Sequence, residues 1–499
     1  MTPGACIAAA IDILAAIEPG GRPADDFAAD YFRRRRYIGA KDRAHVSGHV
    51  YGVLRHRAAL DWWIGRVSKG DVAVEARSRM IAALLLLNGQ RPDDLAASFD
   101  GDRFRPARLG PAEERLAKGL AGRTLTHPAM PRAVASDLPD WLLPHLEAVY
   151  GRRLEDEMAA LNAPASIDLR VNSLKTDREG ARRALAAEHV AAEPTPWSPL
   201  GLRLKHRAPL SGTAAFKEGL VEVQDEGSQL AALLADARPG MRVVDFCAGA
   251  GGKTLALAAQ MKNRGKLIAC DVADWRLERA GQRLRRAGIS NVERRVLASE
   301  RDLWVKRHAG NNQGGGFDRV LVDAPCLGIG SWRRNPDGKW RATPNDLAEL
   351  VVRQRDILLS AARLVKPGGR LTYVTCSLLR EENEAQAEGF LEAHADFALY
   401  PMARAWAETI GGRSPGGDDT LRLTPARHGT DGFFVAQFER AAAQKIPHLT
   451  PALSAPEGGE GDTSAAPFPS PPFRGEREGP APEAWEGEVG RKADPEPDQ

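Results

Sequence analysis

The stretch Arg242-Val243-Val244-Asp245-Phe246-Cys247-Ala248-Gly249-Ala250-Gly251-Gly252-Lys253-Thr254 decides the fold class of this chain. Its first five residues are typical of a buried strand, and that strand leads directly into a turn with three glycines. Glycine lets a backbone approach a ligand closely, and the helix predicted from Lys253 onwards offers free N–H groups in its first turn. We therefore predict a ligand site at the carboxyl end of this strand.

The glycine turn matches neither of two common phosphate-binding patterns. A phosphate-binding loop would need glycine at position 247, where the chain has cysteine, and the dinucleotide pattern G-x-G-x-x-G also fails. The next predicted strand ends at Asp271, whose carboxylate can bind both hydroxyls of a ribose; alternatively, it caps the helix that follows. A glycine turn and an acidic strand end without a phosphate loop indicate a nucleoside that lacks a polyphosphate. S-adenosylmethionine is such a molecule.

Short β-branched runs alternate with longer amphipathic segments from Val221 onwards. The predicted strands are Arg242–Phe246, Lys266–Asp271, Val292–Leu297, Phe317–Asp323, Arg370–Cys376 and Gly432–Phe438. The predicted helices are Lys253–Gln260, Asp274–Ala287, Pro344–Leu364 and Glu381–Ala393. This alternation is typical of parallel βαβ units, so we predict an α/β, Rossmann-like, doubly wound sheet with its ligands at the carboxyl ends of the strands.

Two cysteines, Cys326 and Cys376, follow predicted strands at this same edge. A single cysteine at a strand end is usually buried packing, whereas two at neighbouring strands favour chemistry. Carbon 5 of cytosine is too weak a nucleophile to take a methyl group from a sulfonium unaided, but a thiolate that adds to carbon 6 makes carbon 5 reactive. A carboxyl group at N3 helps the addition, and another group assists the later elimination. Cys376, Asp323 and Cys326 supply that set.

Several motifs, in this order, resemble those of the RNA (cytosine-5) methyltransferases of the RsmB/Sun and NSUN family. They are Leu169-Arg170-Val171-Asn172, Val223-Gln224-Asp225-Glu226-Gly227-Ser228-Gln229, Phe246 to Thr254, Asp323-Ala324-Pro325-Cys326, Gly328-x-Gly330-x-x-Arg333-Arg334-x-Pro336-x-x-Lys339-Trp340, Thr375-Cys376-Ser377-x-x-x-Glu381-Glu382-Asn383-Glu384 and Gly429-Thr430-Asp431-Gly432-Phe433-Phe434. Together they cover about 300 residues, and their combined order and spacing are highly specific.

The resemblance implies a role for each matching residue. The Thr-Cys cysteine of the family is the nucleophile and the Pro-Cys cysteine helps to release the product, which here are Cys376 and Cys326. Asp271 would bind the ribose, and Asp323 would face both the donor and the target base. The methionine part of S-adenosylmethionine would lie on Cys247, Ala248, Gly249, Ala250, Gly251, Gly252 and Lys253.

Two departures from the family pattern concern the donor site. Gly249-Ala250-Gly251-Gly252-Lys253 stands where the family usually has Ala-Pro-Gly-Gly-Lys, so a rigid proline is lost while close approach of the backbone is kept. Leu297-Ala298-Ser299-Glu300 stands where the family has an aspartate that meets the adenine amino group. Which residue contacts the adenine is therefore left open.

Two further domains are predicted before the catalytic domain at residues 221–440. Residues 1–127 show apolar positions at helical spacing and resemble the NusB-like, RNA-binding domain of the family's bacterial ribosomal RNA branch. That resemblance rests on Lys41-Asp42-Arg43, Gly52-Val53-Leu54-Arg55 and Leu60-Asp61-Trp62. Residues 128–220 are predicted to form a small α+β domain that binds RNA or links its neighbours.

Composition and charge agree with this organisation. The 499 residues are 43% hydrophobic and 27% charged, which fits about three globular domains, and the Pro/Gly/Glu-rich residues 441–499 are predicted to be a disordered tail. Residues 451–499 hold eleven acidic and four basic side chains, a net charge of −7. Because the whole chain has a net charge of +3, residues 1–450 carry a net charge of +10. That charge suits RNA as partner, and the run Arg33 to Arg36 is either a contact or a solvated helix face.

The sequence indicates a cytoplasmic protein. The longest apolar run, Met80 to Leu87, has eight residues, against the roughly 18 of a membrane span, and the N-terminus lacks the pattern of a secretory signal. Five irregularly spaced cysteines without a CxxC pair predict neither a disulfide framework nor a metal site.

The favoured function is transfer of a methyl group from S-adenosylmethionine to carbon 5 of a cytosine in RNA. The helical domain favours small-subunit ribosomal RNA, and transfer RNA is the alternative substrate. A DNA cytosine-C5 methyltransferase would use Cys326 as nucleophile but leaves Cys376 unexplained. A nucleotide-hydrolysing protein would use Gly252-Lys253-Thr254, against which Cys247 argues. An RNA-binding assembly factor without turnover is the alternative from another class.

Overall fold

The structure is a computed structural model that describes residues 1–18, 20–310 and 315–442. The predicted disordered tail lies outside the described residues from position 443 onwards. Among the described residues, no helix combines the length and the apolar character that crossing a bilayer requires.

The first third of the chain is helical. Its α-helices are α1 (Pro3–Ile17), α2 (Ala24–Arg34), α3 (Ala40–Arg55), α4 (Arg57–Ser68), α5 (Ala76–Leu86), α6 (Pro92–Ser98), α7 (Pro111–Leu120), α8 (Arg132–Ala135), α9 (Leu143–Tyr150) and α10 (Leu154–Leu161). The apolar run from Met80 lies in α5, which is buried along most of its length because α1, α3, α4 and α7 pack around it. These helices fit the expected NusB-like fold.

A four-stranded antiparallel sheet follows, in the order β2-β3-β1-β4. Its elements are β1 (Asp168–Val171), α11 (Arg178–Ala187), β2 (Ala192–Pro194), β3 (Gly201–Leu204), α12 (Ala214–Lys217) and β4 (Val221–Val223). Of these elements the sequence predicts only two, a strand at Ile167–Asn172 and a helix at Arg178–Glu188, which correspond to β1 and α11. The other strands have three or four residues, too few to show an alternating pattern, and they form because neighbouring strands supply their hydrogen bonds.

The main sheet has eight strands, in the order β10-β12-β9-β8-β5-β6-β7, with β11 paired to β12. Its strands are β5 (Arg242–Phe246), β6 (Lys266–Asp271), β7 (Val292–Val296), β8 (Phe317–Asp323), β9 (Val365–Thr375), β10 (Phe397–Leu399), β11 (Leu421–Leu423) and β12 (Phe433–Arg440). Its helices are α13 (Glu226–Leu234), α14 (Gly252–Gln260), α15 (Asp274–Ala287), α16 (Leu303–Arg307), α17 (Gly338–Arg341), α18 (Pro344–Ala362), α19 (Glu384–Ala393), α20 (Met402–Thr409) and α21 (Pro425–His428).

Strands β5 to β9 are mutually parallel, which confirms the predicted Rossmann-like sheet. The chain order reverses between β5 and β8, so the crevice where such folds bind ligands opens beyond the carboxyl ends of these two strands. The glycine turn, Asp271, Asp323 and Cys376 all lie at that edge because each ends or follows a parallel strand.

Strand β12 differs from the expectation of parallel βαβ units, since it pairs antiparallel with β9. Gly432, just before β12, donates its N–H to the carbonyl of Gly330 at the carboxyl edge of the sheet (2.9 Å). The chain therefore enters β12 at that edge and must run back along β9. The glycine pair is tight, because a Cβ on Gly330 would meet backbone atoms of Gly432 at 2.3 Å.

A short segment after β8 joins the helical region to the main sheet. The last carbonyl groups of a helix have no partner inside it. At the end of α3, Trp340 donates to the carbonyl of Leu54 (2.6 Å) and Lys339 donates to that of Arg55 (2.8 Å). The end of α3 is thus capped by side chains from α17, some 280 residues later in the chain.

Candidate active site at the carboxyl edge of the sheet

The glycine turn after β5 is a loop with three residues at positive φ. These are Cys247 (+75°), Gly249 (+54°) and Gly251 (+79°). The loop is fixed to the neighbouring strand, because Ala248 donates to the carbonyl of Cys270 (2.8 Å). A Cβ on Gly251 would lie 2.9 Å from the Cβ of Ala280 in α15, so glycine is needed there both for the backbone conformation and for helix packing.

A cavity of about 820 Å³ opens beside this loop. It is lined by the predicted donor residues Cys247, Ala248, Gly249, Ala250, Gly252, Lys253, Asp271 and Asp323. Gly251 is the exception: its contact is with α15, and it does not line the cavity. Its effect on a ligand would therefore be exerted through the shape of the loop.

Asp271 hydrogen-bonds to the residue just before the helix that follows it and also lines the cavity. Its carboxylate lies in the wall of the cavity and accepts hydrogen bonds from the N–H groups of Gly249 and Ala273, each at 2.8 Å. The second contact fixes the start of α15, and the first ties the glycine loop to β6. One carboxylate thus shapes the loop and also faces the cavity.

The far end of the cavity contains the stretch that departs from the family pattern. Leu297, Ala298, Ser299 and Glu300 all line it. The carboxylate of the nearby Asp302 accepts hydrogen bonds from the backbone N–H groups of Ala298 (2.9 Å) and Trp304 (2.8 Å). These hydrogen bonds lower the pKa of Asp302. Asp302 therefore caps α16, and Ser299 and Glu300 are the polar residues of this stretch that line the cavity.

Several cavity residues were not singled out from the sequence. They are Val223, Gln224, Ser228, Val272, Ala273, Arg276, Arg283, Arg353 and Ile357. Gln224 and Ser228 lie in one of the family motifs, and that motif was the sequence signal that could have identified them as cavity residues. Arg353 and Ile357 come from α18, and helical spacing alone does not show which face of a helix meets a cavity.

Two arginines from other elements donate hydrogen bonds to carbonyl groups of the glycine loop. Arg170 of β1 donates to the carbonyl of Gly252 (2.8 Å), and Arg283 of α15 donates to that of Ala250 (2.6 Å). Because burial disfavours its charge, the pKa of Arg170 is lowered to about 10. The small antiparallel sheet and α15 therefore both fix the geometry of the donor loop.

Lys253 and Asp323 form an ion pair in the cavity wall, with 2.7 Å between Nζ and Oδ2. Burial opposes the charged ammonium of Lys253, but the Asp323 carboxylate outweighs burial and raises the pKa of the lysine. The ammonium also lies 5.4 Å from the centre of the Phe433 ring at the start of β12. The ion pair therefore links the glycine loop to the end of β8, three residues before Cys326.

The sulfur atoms of Cys326 and Cys376 lie 3.5 Å apart. The hydrogen bond to Cys376 and burial raise the pKa of Cys326 well above its usual value, so Cys326 is a thiol at neutral pH. Two strand ends that are 50 residues apart in the chain thus place two thiols where one small ring could contact both.

A buried cluster of four charges supports the segment that follows Cys326. Arg334 contacts Asp225 at 2.8 Å and Asp431 at 2.5 Å, and Arg333 contacts the same two carboxylates. Burial and the neighbouring Asp431 raise the pKa of Asp225 to about 6. The cluster connects the start of α13, the segment after Cys326 and the turn before β12, three of the quoted motifs.

The cavity suits S-adenosylmethionine. Its volume is within the usual range for small-molecule sites, a glycine loop lines one end, and a carboxylate stands at the end of β6. No phosphate loop is present at the described turn, in agreement with a donor that carries no phosphate. A Rossmann-like sheet with this cavity next to a carboxylate and two thiols defines the class of S-adenosylmethionine-dependent methyltransferases.

Comparison with known proteins narrows the class to a family. The family model described as 16S rRNA methyltransferase RsmB/F matches residues 232–439, and that of the RsmF/B-like ferredoxin-like domain matches residues 138–211. The chain belongs to the RsmB/F family of RNA methyltransferases, which confirms the resemblance seen in the sequence.

Two relatives and one solved structure document this similarity. Proteins of Synechocystis sp. and Bacillus subtilis, both named "Probable ribosomal RNA small subunit methyltransferase B", are 31% and 32% identical to this chain. The alignments cover 83% and 80% of this chain and 95% and 91% of those proteins. The crystal structure of PH0851 matches with a TM-score of 0.69 at 29% identity, over 88% of this chain and 99% of that one.

Proposed function

We propose that this enzyme transfers a methyl group from S-adenosylmethionine to carbon 5 of a cytosine in small-subunit ribosomal RNA, through a covalent bond between Cys376 and carbon 6. The observation that carries the proposal is the pair of sulfur atoms 3.5 Å apart, in segments next to the Asp323 carboxylate of the cavity wall. The names of the two bacterial relatives support the choice of RNA.

The donor supplies an electrophilic methyl group on a sulfonium when it is bound. The glycine loop, fixed by Arg170 and Arg283, holds its methionine part, and Asp271 binds its ribose. Ser299 and Glu300 are the polar groups at the opposite end, where the adenine would lie. Asp323 lies between these groups and the cysteines and faces both substrates.

Cys376 acts as the nucleophile. Its thiolate forms a bond to carbon 6 of the cytosine, and the electron pair of the C5–C6 double bond moves towards carbon 5. Carbon 5 then bonds to the methyl group as the bond between that methyl group and the donor sulfur breaks, which leaves the donor as a neutral thioether. Asp323 donates a hydrogen bond to N3 once it has taken a proton from the Lys253 ammonium across their ion pair, which stabilises the ring during the addition. Lys253 fixes the orientation of the Asp323 side chain through their ion pair.

Cys326 assists the release of the product. Solvent water takes the proton from carbon 5, the electron pair of that C–H bond restores the C5–C6 double bond, and the bond between carbon 6 and Cys376 breaks with its electrons returning to sulfur. Cys326 is a thiol 3.5 Å from the departing sulfur, so its S–H can stabilise the thiolate that leaves. The raised pKa of Cys326 keeps this proton in place at neutral pH.

The regions before the catalytic domain are proposed to contact the RNA. Residues 1–127 are helical, which fits a NusB-like domain, and the small sheet that follows lies within residues 168–223. The net charge of +10 over residues 1–450 suits a polyanionic partner. A ribosomal RNA substrate also places the enzyme in the cytoplasm.

The test is methyl transfer from labelled S-adenosylmethionine to small-subunit ribosomal RNA taken from cells that lack this protein. We expect label in 5-methylcytosine at a defined position, and the same position unmodified in the cells without the protein. Transfer RNA and duplex DNA serve as comparison substrates. Label in transfer RNA alone, or no label in any nucleic acid, would overturn the proposed substrate or the proposed activity, respectively.

A further inference from the structure

Glu382 is a fully buried carboxylate that none of the roles above uses, and it contacts both cysteine-bearing segments. It lies just before α19, in the stretch where the sequence predicted a helix from Glu381 onwards; the helix instead begins at Glu384. The side chains of Glu382 and Asn383 turn inward to hydrogen-bond with the segments after β8 and β9. These contacts explain why the helix begins three residues later than predicted.

On the Cys326 side, Glu382 holds the backbone directly after the cysteine. Its Oε1 accepts the N–H of Leu327 at 2.9 Å. The same oxygen accepts from Nε2 of Gln354 at 3.0 Å, and that amide also donates to the carbonyl of Pro325 at 2.9 Å. Residues 325 and 327, on either side of Cys326, are therefore both fixed by the Glu382–Gln354 pair.

On the Cys376 side, the contact is one of several. The other carboxylate oxygen of Glu382 accepts from the hydroxyl of Ser377. This segment has further supports, because Asn383 donates to the carbonyl of Ser377 (3.1 Å) and Gly330 donates to the carbonyl of Cys376 (2.9 Å). Strand β9 also holds the residue before Cys376 in the sheet, through the pairing of Thr375 with Phe434.

Loss of the Glu382 carboxylate should therefore disturb the Cys326 segment more than the Cys376 segment. Without the carboxylate, the part-buried N–H of Leu327 would lose its acceptor and Gln354 would lose one of its two partners. Cys326 would lose its position, whereas Cys376 would keep its sheet, backbone and Asn383 contacts. Burial raises the pKa of Glu382, but the hydrogen bonds from Ser377, Leu327 and Gln354 act in the opposite direction.

We propose that Glu382 is a positioning residue that holds Cys326 beside Cys376, and that it is required for release of the methylated RNA and not for the attack on carbon 6. The inference rests on the proposed function, since it assigns attack to Cys376 and release to Cys326. A site in which Cys326 is displaced should still form the bond between Cys376 and the base but should fail to break it.

The experiment compares the full-length wild type with Glu382→Ala, Glu382→Gln and Glu388→Gln. The probes are labelled S-adenosylmethionine and small-subunit ribosomal RNA from cells lacking the protein. Glu388 is an exposed glutamate of α19 paired with Arg380, so its glutamine variant controls for loss of a charge close by in the chain. Methylated RNA released per enzyme and the covalent complex that survives on a denaturing gel are both measured.

We expect Glu382→Ala to transfer methyl groups in a single turnover within about threefold of the wild type. Its multiple turnover should fall at least tenfold, with accumulation of the denaturation-resistant complex. Glu382→Gln keeps an oxygen for the N–H of Leu327 and should recover turnover to within about threefold. Glu388→Gln should match the wild type, and each variant is first checked for a native-like melting transition.

Three results would overturn the proposal. They are wild-type turnover by Glu382→Ala, loss of the covalent complex along with turnover in that variant, and a glutamine variant as defective as the alanine variant. If Glu382→Ala does not fold, Gln354→Leu takes its place, because it removes the donor to Pro325 and is expected to show the same release defect. Failure of the wild type itself to methylate the RNA would instead refute the proposed function.

Discussion

At the residue scale, the two cysteines should fail in different ways. Cys376→Ala removes the sulfur that bonds to carbon 6, so neither methylated RNA nor a covalent complex should form. Cys326→Ala should still attack and transfer the methyl group but stall before release, leaving a complex that survives denaturation. A denaturing gel of both variants with RNA and donor shows which of them forms the covalent complex. A complex formed by Cys376→Ala and absent from Cys326→Ala would make Cys326 the nucleophile.

Asp245, next to the glycine loop, gives a second prediction at this scale. Burial raises its pKa to about 7, and Thr254 donates it a hydrogen bond of 2.6 Å. The folded protein therefore binds a proton more tightly than the unfolded chain, so this group makes the protein less stable as pH rises from about 4 to about 7. The effect is on the order of 4 kcal/mol, because each pKa unit corresponds to about 1.4 kcal/mol.

Asp245→Asn resembles the protonated aspartate and should remove this pH dependence. We expect the variant and the wild type to melt at similar temperatures near pH 4, and the variant to melt increasingly higher than the wild type as pH rises to about 7. Thermal unfolding without donor at several pH values measures the difference. Parallel stability curves for the two proteins across this range would contradict the raised pKa.

At the element scale, the junction of α3 with α17 depends on Lys339. This side chain is 2% exposed and donates to the carbonyl of Arg55 and to Oδ1 of Asn162, both at 2.8 Å. Lys339→Met leaves both acceptors buried and unpaired, which costs about 1–3 kcal/mol for each unsatisfied group. The expected loss of stability at pH 7.5 is smaller than their sum, because the methionine also removes a buried charge.

The same lysine should make the junction sensitive to alkaline pH. Burial lowers the pKa of Lys339 to about 8, below the value in an unfolded chain. Between about pH 8 and 10.5 the unfolded state binds more protons, so this group stabilises the folded protein increasingly as pH rises. Denaturant unfolding at pH 7.5 and 9.5 should therefore show a greater penalty for Lys339→Met at the higher pH. An equal penalty at both would argue against the lowered pKa.

At the scale of the whole molecule, RNA binding should be partly electrostatic. Arg33, Arg34 and Arg36 are exposed near the end of α2, while Arg35 is half-buried and stacks on Tyr31 with 3.7 Å to the ring centre. Arg33 also pairs with Asp30 at 2.8 Å. Exposed arginines that meet phosphates release counterions, so affinity should fall with salt in proportion to the phosphates neutralised.

Replacing residues 33–36 with serine should flatten the dependence of RNA affinity on salt. The logarithmic slope should change by at most about 3, since each neutralised phosphate contributes roughly 0.7–0.9. Binding of small-subunit ribosomal RNA by the full chain at several salt concentrations measures this slope. An unchanged slope would mean that the exposed arginines of this run are solvated and do not contact the RNA.

The sequence by itself determined the α/β class, the glycine loop and the two cysteine-bearing strand ends. The predicted bounds of β5, β6 and β8 agree with the structure residue for residue, because each contains a short apolar run between two charged residues, a pattern that is local. The donor loop and the family motifs could also be read locally. The predicted donor residues, with the exception of Gly251, line one cavity in the structure.

Only the tertiary structure decided the antiparallel direction of β12, the short strands of the small sheet, the packing of Gly251 against Ala280 and the place of Glu382 between the two cysteine segments. Each depends on a partner distant in the chain, as when α17 caps α3 or Gln354 reaches Pro325. Local patterning encodes which residues form a strand or helix. Which buried donor meets which acceptor is set by packing, because burial removes water as the alternative partner and leaves only the groups that the fold brings together.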